Sequence, residues 1–248
     1  MTDALGWRMK FGVIAPSTNT SVQPEYDDMR PRGITNHFSR VTIPDTPVNS
    51  DEEFLQLLEN IRGATEAAVD SVMTCAPGYV IMGMSAETFW DGMLGAEELK
   101  ARLERRAGVG VALGSHACQD AIRCYGNIKR ISVITPYMPV GDAQVRKFFT
   151  DCGFDVVNLL GLKCKSPVLI AHESPRRLRQ AVREVDDPSV ELIIQVGTNL
   201  AFAAVAAEAE RWLDKPVLAI NTCTYWYALR KNGFEDRIDG FGSLLVEH

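Results

Sequence analysis

The sequence predicts an α/β fold of two similar halves with parallel sheets, and two observations support this prediction. Short apolar runs alternate with longer segments of helical periodicity, which is typical of parallel sheets covered by helices. In addition, three kinds of segment occur in the same order in each half of the 248-residue chain. We therefore expect an N-terminal half over residues 1–122, across which the C-terminal segment can pack, and a C-terminal half over residues 123–248.

Eight segments are predicted to be strands because each is short and apolar. In chain order they cover residues 10–15, 36–43, 79–82, 109–114, 131–135, 155–162, 191–195 and 216–220.

Three segments between the strands carry clear helical signals. Residues 51–71 have apolar side chains at the three-four spacing of an amphipathic helix, namely Phe54, Leu57, Leu58 and Ile61. Residues 142–152 and 175–185 have similar patterns, and Ser174 with Pro175 provides a cap and first turn for the second of them. These helices fit between the predicted strands.

The repeated segments form three matching pairs. KFGVIAPSTNT resembles RISVITPYMPV, YVIMGMSAETF resembles LIIQVGTNLAF, and GVALGSHACQDAI resembles KPVLAINTCTYWYAL. Chance similarity between α/β units is the alternative explanation. An internal duplication predicts that the loops after matching strands meet in a cleft between the two halves.

Composition excludes several classes of function. Hydrophobic residues make up 46% of the chain and charged residues 23%, and the net charge of -6 gives no basic surface for nucleic acid. No apolar run approaches the roughly 20 residues of a membrane span, and the N-terminus lacks a secretory pattern, so a cytoplasmic location is expected.

The six cysteines form no C-x-x-C pair and are expected to be free thiols. The four histidines share no metal-binding spacing, so no metal site is expected.

Uncharged hydrogen-bonding side chains follow the first strand of each predicted half. After Pro16 ends the first strand, Ser17 and Asn19 offer donors that suit a carboxylate. A polar turn with a helix cap explains the same residues. The matching loop carries Tyr137, which is either a donor to a carboxylate or enolate, or a packed aromatic residue.

The two central strand ends form the second predicted element of the site. Gly83 and Gly197 allow the backbone to approach a ligand closely, and Ser85 and Thr198 add hydroxyl groups. Glu87 is either a base or a favourable partner of a helix dipole.

Three cysteines follow predicted strands. Cys118 and Cys223 lie near predicted helix starts, where the pKa of a thiol can fall, although most free cysteines are small buried residues. Cys164 lies between two lysines, which favours a thiolate, unless the loop is simply exposed.

Five stretches together resemble the aspartate/glutamate racemase superfamily and, within it, the maleate cis-trans isomerases and arylmalonate decarboxylases. They are GVIAPSTNTSV, VITPYM, the two central strand ends and the closing DGFGSLLVE, and they extend over nearly the whole chain. The resemblance implies two Rossmann-like halves with pseudo-twofold symmetry, a site in the cleft between them that needs no cofactor, and small carboxylic acids as substrates.

The resemblance also assigns individual positions. Asn19 resembles the carboxylate-binding asparagine of the family, and Tyr137 its tyrosine in a Thr-Pro-Tyr motif. Met84 and Val196 stand where the relatives carry active cysteines. Because neither side chain can act as an acid or a nucleophile, either another residue acts or the reaction differs from those of the relatives. The candidates for such a residue are Cys223, Cys118, Tyr137 and Glu87.

These observations predict a cofactor-independent enzyme that isomerises or decarboxylates a small carboxylic or dicarboxylic acid through an enolate-like intermediate. A homo-oligomer is expected. Two alternatives stay open at this stage: a catalytically silent carboxylate-binding protein, and a hydrolase or lyase of the same superfamily that uses a base other than cysteine.

Overall fold

The computed structural model describes residues 3–248 and contains two four-stranded parallel sheets. The first sheet has the order β2-β1-β3-β4, and the second has the order β6-β5-β7-β8. The strands are β1 (Met9–Pro16), β2 (Ile34–Val41), β3 (Tyr79–Met82), β4 (Val111–Ala112), β5 (Arg130–Thr135), β6 (Asp155–Gly161), β7 (Leu192–Gln195) and β8 (Val217–Ala219). The equivalent orders confirm the predicted α/β fold, and the three sequence pairs occupy equivalent strands.

Helices connect the strands in each half. They are α1 (Val22–Asp28), α2 (Asp51–Met73), α3 (Gly92–Ala107), α4 (Gly114–Cys124), α5 (Pro139–Asp151), α6 (Pro175–Val185), α7 (Ala203–Leu213), α8 (Ile220–Lys231) and the short α9 (Leu244–Glu247). No helix within residues 3–248 has both the length and the apolarity that a membrane crossing requires.

Local sequence explains where the main helices begin. The Ser50 hydroxyl accepts a hydrogen bond from the Glu53 N–H at 3.3 Å, while the Glu53 carboxylate accepts one from the Asn49 N–H at 2.6 Å, and this capping pair starts α2. Helix α5 begins at Pro139, three residues before the predicted start at 142, because proline is well suited to the first helical turn.

Helices α4 and α8 pack against each other where the two halves meet. A side chain at Gly114 would place its Cβ only 2.7 Å from Ile220 Cδ1, so the glycine allows this close approach without a shift of the Ile220 side chain. Helix α8 also contacts α1 and β3, and the C-terminal segment therefore packs across the first half. Position 122, where the sequence divides the chain, lies inside α4, and this division stays a prediction.

Candidate active site

A cleft opens between the two halves. The residues that follow β1, β3, β5 and β7 line its inner end, as the duplication predicts. Helix α2 and the loop after β6 form its sides. The polar residues that line it are Thr18, Asn19, Ser85, Tyr137, Cys164, Ser166, Thr198 and Asn199.

Four of these side chains form a connected group that we call the donor cluster: Asn19, Ser85, Tyr137 and Thr198. The hydroxyls of Ser85 and Tyr137 are 2.6 Å apart, and the Thr198 N–H donates to Ser85 Oγ at 3.1 Å. Asn19 Nδ2 donates to Thr198 Oγ1 at 3.0 Å. All four residues are buried, so the two halves meet at a polar centre inside an apolar surrounding.

The donor cluster retains hydrogens that no protein acceptor uses. Ser85 and Tyr137 carry two hydroxyl hydrogens, and only one of them lies in the bond between the two oxygens. Asn19 Nδ2 has two hydrogens, of which Thr198 takes one among the described contacts. The cluster therefore offers two donors for the oxygens of a bound carboxylate or of an enolate formed from it.

The backbone at Gly197 brings Thr198 to this position. Gly197 has φ +126°, a conformation that side chains disfavour, and an added Cβ would meet Pro136 at 2.5 Å. Asn19 is held on the opposite side because its Oδ1 accepts hydrogen bonds from the N–H groups of Ser21 and Val22 at the start of α1. The Asn19 side chain therefore contacts both the start of α1 and the donor cluster, and its role in binding a carboxylate stays a prediction.

One side of the cleft is apolar, and we call it the apolar wall. It consists of Ile43, Val48, Phe54, Leu57, Leu58 and Ile61. The ring of Phe54 lies 5.4 Å from that of Tyr137, so the wall adjoins the donor cluster directly. Charged side chains are absent from the described residues that line the cleft.

Among the residues that the structure describes, two with titratable side chains line the cleft, Tyr137 and Cys164. Burial raises the pKa of Tyr137, although its hydrogen bond to Ser85 opposes this effect. Burial and the neighbouring Glu173 carboxylate raise the pKa of Cys164 to about 12. The prediction that the lysines on either side favour a thiolate is therefore wrong: both lysines are exposed, whereas Cys164 is buried.

Two predicted site residues lie outside the cleft. Ser17 is exposed, and its hydroxyl forms hydrogen bonds with the backbone of Ile43. These bonds connect the end of β1 to the segment after β2. Glu87 accepts two hydrogen bonds from Arg62 Nε at 2.8 and 3.0 Å and lies in a separate hollow. Burial raises the pKa of Glu87, and Arg62 opposes that shift. Neither position supports the predicted role in binding or catalysis.

Neither of the two candidate catalytic thiols is among the described residues that line the cleft. Cys118 on α4 and Cys223 on α8 are fully buried where these helices pack. Burial and a hydrogen bond with Cys223 raise the pKa of Cys118, which is the reverse of the expected lowering. The expected lowering of the Cys118 pKa is therefore wrong, because packing between the helices outweighs any effect of the helix start.

The remaining predicted residues flank the donor cluster. Met84 lines the cleft. Gly83 contributes its carbonyl, which accepts from Thr198 Oγ1 at 3.2 Å. Val196 is fully buried, and its N–H donates to the Ile134 carbonyl at 2.8 Å.

The structure adds residues that sequence reasoning did not select. Asn199 follows Thr198 directly, and its amide bonds to the Thr20 N–H and the Pro167 carbonyl, which ties the two halves together. The part of the apolar wall on α2 was predicted only as the apolar face of a helix, because helical periodicity does not distinguish a face that lines a cleft from one that packs in the core.

Comparisons with known proteins agree on the group to which this architecture belongs. A family model described as arylmalonate decarboxylase matches residues 11–245. A maleate isomerase from Alcaligenes faecalis is 22% identical over 245 residues, which cover 95% of this chain and 96% of that protein.

Solved structures give the same result for the fold. A Nocardia farcinica maleate cis-trans isomerase variant with a covalently bound succinylcysteine intermediate superposes with a TM-score of 0.86 at 18% identity, over 96% of this chain and 98% of that one. An arylmalonate decarboxylase superposes with a TM-score of 0.74 at 18% identity, over 95% of this chain and 98% of that one.

Proposed function

The chain belongs to the arylmalonate decarboxylase family, and on this premise we propose that it decarboxylates a small malonate-type acid with an apolar substituent, without a cofactor and through an enediolate-like intermediate. The two unused donors of the donor cluster, placed beside the apolar wall, are the observation that carries the proposal. An enzyme of this family acts on a carboxylate, and this cleft separates a place for one charged group from a place for an apolar one.

The donor cluster suits the charge that develops during decarboxylation. Loss of CO₂ turns the remaining carboxylate into an enediolate, so negative charge grows on oxygens that the donors of Asn19 and the Ser85–Tyr137 pair can face. A preorganised donor of this kind lowers a barrier by roughly 3 kcal/mol in other enzymes. Because the donors are already fixed by Thr198, little reorganisation is required when the charge appears.

The apolar wall favours loss of a carboxylate over its retention. A malonate places two carboxylates on one carbon, and the cluster can solvate only one of them well. The second carboxylate faces a surface without charged partners. A buried anion is unfavourable there, whereas neutral CO₂ is tolerated, so loss of CO₂ is favoured. The same surface accepts an apolar substituent, with about 25 cal/mol gained per Å² of apolar area removed from water.

The wall and the thiol both argue against isomerisation of maleate. Maleate carries two carboxylates and no apolar group, so one charge would face Phe54 and Leu57 without a donor. A succinylcysteine forms by attack of a thiolate, and the thiol that lines this cleft has its pKa raised to about 12. Decarboxylation needs no nucleophile, and it therefore fits this set of residues better.

The test compares three acids with the purified protein: phenylmalonate, methylmalonate and maleate. Proton NMR follows the substrates and products, and CO₂ release is measured separately. We expect turnover of phenylmalonate with a lower KM than for methylmalonate, and no conversion of maleate. Conversion of maleate to fumarate without CO₂ release would instead establish an isomerase.

A catalytically silent binder is the second candidate, and the lack of ionised side chains in the cleft favours it. Calorimetric titration with phenylacetate, the expected product, separates the two. Binding of phenylacetate by a protein that turns over none of the three acids would identify a binder and contradict the proposed enzyme.

A further inference from the structure

The loop after β6 carries a thiol into the cleft from a different strand than those that form the donor cluster. This loop is fixed on both sides: the Cys164 N–H donates to the Pro136 carbonyl at 3.0 Å, and the Val48 N–H donates to the Lys165 carbonyl at 2.7 Å. Cys164 therefore lies beside the turn that carries Tyr137, and the same loop reaches the apolar wall.

Cys164 has a defined partner there. Its Sγ donates to Glu173 Oε1 at 3.6 Å, and the side chain is only 8% exposed. Ser166, from the same loop, lines the cleft as well and is equally buried. The thiol is thus one member of an enclosed polar group that borders the same cavity as the unused donors.

A decarboxylase needs a source of one proton, and few side chains in this cleft qualify. The described lining contains no histidine, lysine, aspartate or glutamate, which leaves the hydroxyls, the amides, and Cys164. Ser85 and Tyr137 bond to each other, and in the proposed function their one unused hydroxyl hydrogen is taken by the developing oxyanion. Cys164 is the remaining acid whose proton can be given to carbon.

Resting on the proposed function, we infer that Cys164 is the catalytic proton donor of this site and that Glu173 positions its thiol. Cleavage of the C–C bond to CO₂ leaves its electron pair in the enediolate. That pair takes the proton from Sγ–H and forms the new C–H bond at the α-carbon. The thiolate left behind recovers a proton from water, and the hydroxide that remains combines with CO₂ as bicarbonate.

The electrostatic surroundings of the thiol agree with this role. The pKa of Cys164 is raised by burial and by Glu173, and Arg177 opposes the rise, whereas the neighbouring lysines are exposed. The thiol is protonated at neutral pH. The resting group is therefore a proton carrier, and a thiolate formed beside Glu173 is quickly reprotonated.

The test uses methyl(phenyl)malonate, because its product gains a stereocentre when the α-carbon is protonated. We expect Cys164→Ser, which keeps the size and the bond to Glu173, to lower kcat by about 100-fold or more, as loss of a general acid does. Its product should lose enantiomeric excess, while phenylacetate binding stays within about twofold. Cys152→Ala is the matched control, since Cys152 ends α5 and lies outside the lining of the cleft.

The outcomes separate this inference from the function on which it rests. If the wild type turns over the substrate and Cys164→Ser has the same kcat and enantiomeric excess, the inference is overturned and the proposed decarboxylase activity still holds. An equal loss in Cys152→Ala would also overturn it, because the effect would then not be specific to the cleft. Absence of wild-type turnover would remove the proposed function and the inference together.

A second variant tests the proposed role of Glu173 in positioning the Cys164 thiol. Glu173→Gln removes the negative charge that raises the thiol pKa. The protonated donor should then be lost at lower pH, so the alkaline limb of the kcat profile should move to lower pH than in the wild type. An unchanged alkaline limb would contradict the pairing of Glu173 with Cys164.

Discussion

The backbone N–H of Thr198 donates to Ser85 Oγ at 3.1 Å, and this bond joins the end of β7 in one half to the end of β3 in the other. Ser85 Oγ lies 2.6 Å from the Tyr137 hydroxyl, so three loops converge on one oxygen atom. A small opening between the halves would break these bonds together. The donor cluster is therefore both a candidate binding site and a contact that fixes the relative position of the halves.

Tyr137→Phe should lower kcat/KM for phenylmalonate by about 10- to 100-fold. The change removes one of the two hydroxyls that supply an unused donor, and such a donor contributes up to roughly 3 kcal/mol. Steady-state kinetics with CO₂ detection measures the effect. Tyr125→Phe is the control, because the Tyr125 hydroxyl bonds to Ser243 and does not line the cleft. A kcat/KM within twofold of wild type in Tyr137→Phe would show that this hydroxyl does not contact the substrate.

Leu57→Ala should raise KM for phenylmalonate by about tenfold and leave KM for methylmalonate nearly unchanged. Leu57 lines the cleft and is 8% exposed, so its removal takes apolar contact from an aryl group and none from a small substituent. Leu55→Ala is the control on the same helix, where the side chain is 41% exposed. Equal increases for both substrates would contradict the assignment of the wall to the substituent.

The two-half architecture was predictable because buried parallel strands appear in the sequence as short apolar runs. In a duplicated fold, these runs recur in the same order in each half. All eight predicted strand segments overlap observed strands, from β1 to β8. The placement of Asn19, Ser85, Tyr137 and Thr198 around one cleft followed from the rule that the carboxyl ends of parallel strands share an edge.

Other features of the site depend on contacts between distant segments, which local sequence does not record. Ser17 and Asn19 are two residues apart, yet only Asn19 turns into the cleft, because the Ser17 hydroxyl is held by the Ile43 backbone. Cys118 and Cys223 follow strands as expected, but the packing of α4 on α8 buries both. The Glu173 carboxylate beside Cys164 is nine residues away along the chain, so charge counting around the cysteine gave the wrong sign of the pKa shift.

The unfolding free energy should fall as the pH rises from about 4.5 towards 7 because of Glu25. Burial raises the pKa of Glu25 from 4.5 to about 7, although hydrogen bonds from Asn221 and the Ala203 N–H oppose the shift. The folded state then binds the proton more tightly than the unfolded state, so protonation stabilises it below the folded pKa, and this advantage is lost above it. The predicted difference is about 3 kcal/mol at most.

Urea denaturation between pH 5 and pH 8.5 tests this prediction. Glu25→Gln should flatten the pH dependence, because the amide does not titrate. Glu98→Gln, at an exposed position on α3, should retain the slope of the wild type. If Glu25→Gln keeps the full slope, another group is responsible for it.

Gly197→Ala should destabilise the protein by more than about 2 kcal/mol and also lower kcat. At φ +126° an alanine is strained, a cost of about 1–3 kcal/mol, and its Cβ would lie 2.5 Å from Pro136. Relief of this clash must move Thr198 or the turn before Tyr137, both of which belong to the donor cluster. Stability and turnover should therefore fall together.

Gly63→Ala is expected to raise the unfolding free energy, in contrast to Gly197→Ala. Gly63 is exposed inside α2, and nothing lies within 4 Å of an added Cβ, so alanine should stabilise the helix by roughly 0.5–1 kcal/mol. Urea unfolding and phenylmalonate kinetics on both variants make the comparison. A Gly197→Ala variant as stable and active as Gly63→Ala would show that the loop after β7 relaxes freely, and that the positive φ at Gly197 does not hold Thr198 in the donor cluster.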